Sequence, residues 1–116
     1  METSKQYCDS VPLTVEAFKN RRCSLPACHP DYVQPTPDDV RALRVLLGFS
    51  REELSKFANV KLSNKGSGAV RKWETPIGSS EHHHINYGVW RMMLYAAGVA
   101  SVDDDLREVR LWSMID

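Results

Sequence analysis

The chain has 116 residues, 42% of them hydrophobic, which is enough for one domain with one modest core and too few for a second. Its 15 basic and 15 acidic side chains cancel, so total charge does not point to a polyanionic partner. No apolar run approaches the ~20 residues of a membrane span, the polar start Met1-Glu2-Thr3-Ser4-Lys5-Gln6 lacks a secretory signal, and the odd set Cys8, Cys23 and Cys28 reads as reduced thiols, so the expectation is a soluble cytoplasmic protein with no membrane partner.

Residues 1–35 carry four prolines (Pro12, Pro26, Pro30, Pro35) and read as a peripheral N-terminal arm with one short helix, from Thr14 to about Arg22, on which Val15 and Phe18 share a face. The compact part, residues 36–100, opens at Thr36-Pro37-Asp38-Asp39, where a threonine caps, proline fills the first helical position and two carboxylates meet the positive end of the helix dipole. Val40, Leu43 and Leu47 recur at helical spacing, with Ala42 and Leu46 beside them, until Gly48. Ser50-Arg51-Glu52-Glu53 is a capping box that starts a second helix, with Leu54, Phe57 and Ala58 on its apolar edge and Asn59 as a left-handed terminator. Lys61 to Gly68 reads as a loop. Ser67 is then placed to cap a third helix, with Ala69, Val70 and Trp73 turned inward, Arg71 and Lys72 outward, and Pro76 beyond its end. A polar linker, Gly78 to His84, leads to a fourth helix, about Asn86 to Ala97, with Trp90, Met93, Leu94 and Ala97 on one stripe. Residues 101–116 form an acidic C-terminal helix from Ser101 and an apolar tail, Leu111-Trp112-Ser113-Met114-Ile115. The expected class is all-α, with no strand and no internal repeat.

Charge is distributed unevenly along this plan. Ser55 to Trp73 holds five cations (Lys56, Lys61, Lys65, Arg71, Lys72) and no acid, whereas Ser101 to Asp116 holds five acids against Arg107 and Arg110. Two capped helices, a Gly/Asn/Ser-rich connection and a basic third helix fit a helix-turn-helix DNA reader, in which the first helix of the pair fixes the angle of the second in the major groove. The Arg71 fork suits guanine O6 and N7, a contact worth about 1–3 kcal/mol of discrimination. Lys56, Lys61, Lys65 and Lys72 suit phosphates, and Asn64, Ser67 and Gly68 permit close approach. An all-helical bundle whose basic turn merely faces water fits the same pattern.

The run from Thr36 to Arg44, followed by Leu47-Gly48-Phe49-Ser50-Arg51-Glu52-Glu53-Leu54-Ser55, resembles the opening of lambda-repressor-like (XRE or Cro/C1-type) helix-turn-helix domains, and Val70-Arg71-Lys72-Trp73-Glu74 is similar to their recognition-helix ending. With Trp90-Arg91-Met92-Met93-Leu94, which is similar to the fourth helix of phage and mobile-element regulators, the resemblance spans about residues 36–98. It implies a five-helix DNA-binding domain, dimeric and repressing transcription, with Arg71, Lys72 and Ser67 as recognition-helix contacts, Arg51 as a phosphate contact and Trp73 as a packing residue. The chain departs from the family in three places: Arg51 stands where a glutamine is common, Val60 and Val70 are ten apart rather than about five, and Thr75-Pro76 replaces a glycine after Trp-Glu.

The sequence thus leads to a sequence-specific double-stranded DNA-binding regulator, a repressor acting as a homodimer on an inverted repeat, with DNA-binding residues Arg51, Lys61, Asn64, Lys65, Ser67, Gly68, Arg71 and Lys72. The dimer contact falls on Leu111, Trp112, Met114 and Ile115, with Trp90 or Tyr95, or else those residues are core. The alternative is a protein-binding antitoxin or phage-encoded inhibitor on the same scaffold, holding a protein partner through the acidic end. No nucleophile motif, phosphate-cradling glycine loop or paired catalytic carboxylate marks an enzyme. Neither His82-His83-His84 nor Cys23 with Cys28-His29 has metal-ligand spacing, so no metal and no cofactor is expected.

Overall fold

A computed structural model describes residues 11–62 and 68–114. Among the described residues six α-helices follow one another: α1 (Val15–Lys19), α2 (Pro37–Leu46), α3 (Arg51–Ala58), α4 (Ala69–Trp73), α5 (Tyr87–Ala96) and α6 (Val102–Ser113), with a 3-10 turn at Arg22–Ser24. There is no strand among the described residues, so the fold is all-helical.

Local signals set the helix starts. Thr14 Oγ1 accepts from Ala17 N, Ser101 Oγ from Asp104 N and Asn86 Oδ1 from Val89 N, each satisfying an amide that the first turn leaves unpaired. Thr36 with Asp39 and Ser50 with Glu53 form complete capping boxes. Asn59 ends α3 at φ 57, and Gly48 and Gly98 end α2 and α5, each at φ 78. At α4 the cap position belongs to Gly68, which offers no side chain. Ser67, expected to cap there, lies outside the described residues.

The core is built from Phe18, Cys23, Val40, Leu43, Leu54, Val70, Trp73, Ile85, Trp90, Met93, Leu94 and Val99. Two of these stand in the segment expected to be a peripheral arm. Phe18 is wholly buried, with its ring 6.3 Å from that of Trp90, and Trp90 Nε1 donates to the Cys23 carbonyl at 2.8 Å. A boundary at residue 35 is therefore not a boundary of packing: proline-rich backbone hid a core strip that shows no period in sequence. Trp90, weighed as a dimer contact, is instead at the centre of the core. The form of the apolar tail, open in the sequence, is helical as far as Ser113, since Leu111–Ser113 continue α6.

The described residues form two copies of one plan, fifty positions apart, contrary to the expectation of no repeat. Helices α2 and α5 span 37–46 and 87–96. Amide-to-carbonyl bonds repeat in register: His29 to Pro26 and Ser79 to Pro76, Tyr32 to His29 and His82 to Ser79, Leu47 to Leu43 and Ala97 to Met93, Phe49 to Arg44 and Val99 to Leu94. In this register each copy runs from a proline turn through an extended stretch to a ten-residue helix, a left-handed glycine and a further helix, and a five-residue helix precedes each copy without keeping the fifty-position spacing. Helix α2 packs on α5, and each half grips the loop that opens the other. From the second half, Arg91 Nη1 donates to the carbonyls of Ser24 (2.8 Å) and Leu25 (3.1 Å), and the Tyr87 hydroxyl accepts from Ala27 N. From the first half, Arg44 and Arg51 hold Glu74.

Candidate nucleic-acid interface

The position of α4 follows from three constraints. Val70 and Trp73 are buried, which fixes which side of the five-residue helix faces the core. Ahead of it, Ala69 N donates to the Lys61 carbonyl at 3.3 Å, closing the loop between α3 and α4. That closure requires glycine at 68, because a Cβ there would lie 2.3 Å from the Lys61 carbonyl oxygen. Behind it, the Glu74 carboxylate sits between two guanidinium groups: Arg44 Nε reaches Oε2 at 2.6 Å and Nη2 reaches Oε1 at 3.2 Å, while Arg51 Nε reaches Oε1 at 3.3 Å. Arg44 also donates to the Phe49 carbonyl at 3.0 Å. Its bidentate fork therefore ties α2, the turn before α3 and the end of α4 into one unit.

Five of the eight residues expected to contact DNA are described. Arg51, Gly68 and Arg71 line one hollow of about 100 Å³ together with Ser55, Leu62 and Val70, so two arginines twenty positions apart border the same hollow. Lys61 is exposed beside it, and Lys72 is half-buried on α4. Asn64, Lys65 and Ser67 lie outside the described residues. Arg71 is outward but not idle: its Nη2 donates to Glu81 Oε1 at 2.8 Å, and its Nε is buried with no partner among the described residues. Lys56, on the far turn of α3, pairs with Glu52 at 3.6 Å.

Sequence reasoning missed Glu74 and Glu81, the two acids that orient this cluster. The signal for Glu74 was its place directly after an acid-free, cation-bearing run. Glu81 gave none, because it sits in a linker ordered by long-range contacts. The linker is tied to α4, as His83 N donates to the Lys72 carbonyl at 3.2 Å and His82 Nδ1 lies 2.8 Å from the Thr75 carbonyl. Among the described residues no three His, Cys, Asp or Glu side chains gather to hold a metal ion, and no helix is long and apolar enough to cross a membrane.

Two thiols differ in environment. Burial and the neighbouring Asp39 carboxylate push the Cys23 thiol up to about 12 from its ordinary 9.0, whereas Cys28 is exposed. Matches to this chain are absent from known protein families, curated proteins and solved structures alike.

Proposed function

We propose that this protein is a sequence-specific, double-stranded DNA-binding regulator, a repressor that acts as a homodimer and reads DNA with the face of α4 that carries Arg71 and Lys72. The observation that carries the reading is the gathering of Arg51, Gly68 and Arg71 around one hollow, with Lys61 exposed beside it, between α3 and the start of α4. In this reading α3 and α4 are the helix pair of a lambda-repressor-like domain, and the Glu74 bridge holds the second helix at a fixed angle to the first. Arg51 and Lys61 meet phosphates, while Arg71 reads a base edge.

Arg71 exchanges Glu81 for DNA in this scheme. The pair is partly exposed on both sides, 33% and 57%, and exposed ion pairs are worth about 0.2–1 kcal/mol, so the exchange is easy. Replacing Glu81 by Gln therefore raises affinity for operator and random DNA by a few-fold, since the carboxylate also repels phosphate.

The test is titration of fluorescent DNA from the gene's own upstream region at several salt concentrations. The expected log-log slope for a dimer neutralising about six to ten phosphates is roughly −5 to −9. Arg71→Ala removes the preference for operator, and Lys61→Ala weakens all DNA about equally. An Arg71→Ala protein that still discriminates operator from random DNA as the parent does would overturn the assignment.

A further inference from the structure

Helix α6 is the longest helix described and the one with no buried residue. At about 100° per residue its side chains sort into three rows. Asp105, Glu108 and Trp112 form the row that attaches it to the body: Asp105 accepts from Arg91 Nε at 3.0 Å and Nη2 at 2.5 Å, and from the Tyr95 hydroxyl, and the Trp112 ring stands edge-on to His29 at 5.3 Å. Burial works against the Arg91 charge, but the hydrogen bonds to Asp105 and Tyr95 outweigh it and hold its pKa above the ordinary value. A quarter-turn away, Val102, Leu106 and Val109 fall within about 60° of one another and are 53%, 48% and 49% exposed. On the far flank of that apolar row, Asp103 and Arg110 lie seven residues apart, hence nearly in line, and neither makes an ion pair among the described residues.

We infer that this apolar row is the docking face for a second copy of the chain, with the two α6 helices antiparallel about a two-fold axis near Leu106. The charges select the occupant and its direction. Under that one operation Val102 faces Val109 of the second copy, Leu106 faces its counterpart, and Asp103 falls opposite Arg110 twice over, as an isologous contact requires. A parallel two-fold pairing would carry this flank to opposite sides of the seam in the two copies, so Asp103 and Arg110 would not meet. Twelve helical residues span only about 18 Å, too little to fill the ~1,200–2,000 Å² of a standard stable interface, so association is reversible and concentration-dependent.

The contact refines the homodimer of the proposal above by naming its partner face, and it replaces the expectation that the tail around Leu111, Trp112, Met114 and Ile115, with Trp90 or Tyr95, makes it; Trp112 stands against His29 and the Tyr95 hydroxyl donates to Asp105. Its test uses no DNA, so its failure is distinguishable from a failure of DNA reading, which half-site binding measures separately. Sedimentation of the full chain over a concentration series is expected to show a monomer–dimer equilibrium. Asp103→Arg and Arg110→Asp each weaken it at least tenfold, because each creates two like-charge contacts. The Asp103→Arg/Arg110→Asp double variant returns to within about threefold of the parent, and an equimolar mixture of the two single variants forms the heterodimer in preference to either homodimer. Leu106→Glu abolishes the dimer with an unchanged helical spectrum. A chain monomeric at every concentration, or a dimer indifferent to both charge reversals, overturns the inference.

Discussion

Replacing Glu74 by Gln keeps the shape of the side chain and removes its charge. The Glu74 side chain is 2% exposed and that of Arg44 is 12% exposed, so the guanidinium left behind is largely shut off from water and keeps only the Phe49 carbonyl and a neutral amide as partners. Removing one member of a buried ion pair costs about 3–5 kcal/mol. The Arg51 contact adds little, because that side chain is 50% exposed and such pairs contribute at most about 1 kcal/mol. A loss of about 3–5 kcal/mol is a large share of the roughly 5–15 kcal/mol that holds a domain folded. At about 4 °C per kcal/mol for a chain of this size, the thermal midpoint falls by roughly 12–20 °C. Denaturant titration followed by circular dichroism measures it, with Arg44→Met and the Arg44→Met/Glu74→Met double variant completing the cycle. The double variant is expected to recover most of the loss, since an apolar pair of similar volume removes the stranded charge. A cost below about 1 kcal/mol for Glu74→Gln, or an Arg51→Ala as damaging as Arg44→Ala, would refute the account.

Three further outcomes follow from the geometry. Gly68→Ala destabilises by about 1–3 kcal/mol, because its methyl group meets the Lys61 carbonyl at 2.3 Å, whereas Gly78→Ala is neutral or slightly stabilising, with nothing within 4 Å; equilibrium denaturation of both variants compares them. In alkylation mapped by mass spectrometry at mildly alkaline pH, Cys28 is modified while Cys23 reacts only on unfolding. The raised Cys23 pKa contributes stability that is complete below about pH 9 and is lost as pH climbs toward 12, which a series of alkaline denaturation curves would show diminishing in Cys23→Ala. Asp105→Asn leaves the Arg91 charge, 5% exposed, without its counter-ion, so stability falls by about 3 kcal/mol and the amides of α6 lose hydrogen-exchange protection before those of α5.

What was legible in the sequence was local. Thr36 with Asp39, Ser50 with Glu53, and Asn59 act within four residues of themselves, so side-chain chemistry alone placed both ends of α3 and the starts of α2 and α6. The inward positions Val70 and Trp73 were equally readable, because helical periodicity survives even in five residues. The bridge from Arg44 to Glu74 spans thirty positions, and nothing near either residue announces the other. The repeat escaped for a different reason. Between residues 26–50 and 76–100 the fifty-position register keeps Pro26 with Pro76, Arg41 with Arg91 and Gly48 with Gly98 and changes every other side chain, while the backbone bonds recur. Even the shared arginine does different work: Arg91 is buried against Ser24 and Leu25, and Arg41 is exposed. The row on α6 was written in the sequence as Val102, Leu106 and Val109, but an apolar row reads alike whether the body or nothing covers it.

The mutual grip of the two halves has a kinetic corollary. Carbonyl groups at Ser24 and Leu25 depend on a guanidinium from the distal half, and the carboxylate at Glu74 depends on one from the proximal half. Neither portion satisfies its own polar atoms in isolation, so a nascent chain emerging from the ribosome stays incomplete until Arg91 has been synthesised, and melting proceeds as a single cooperative event rather than half by half.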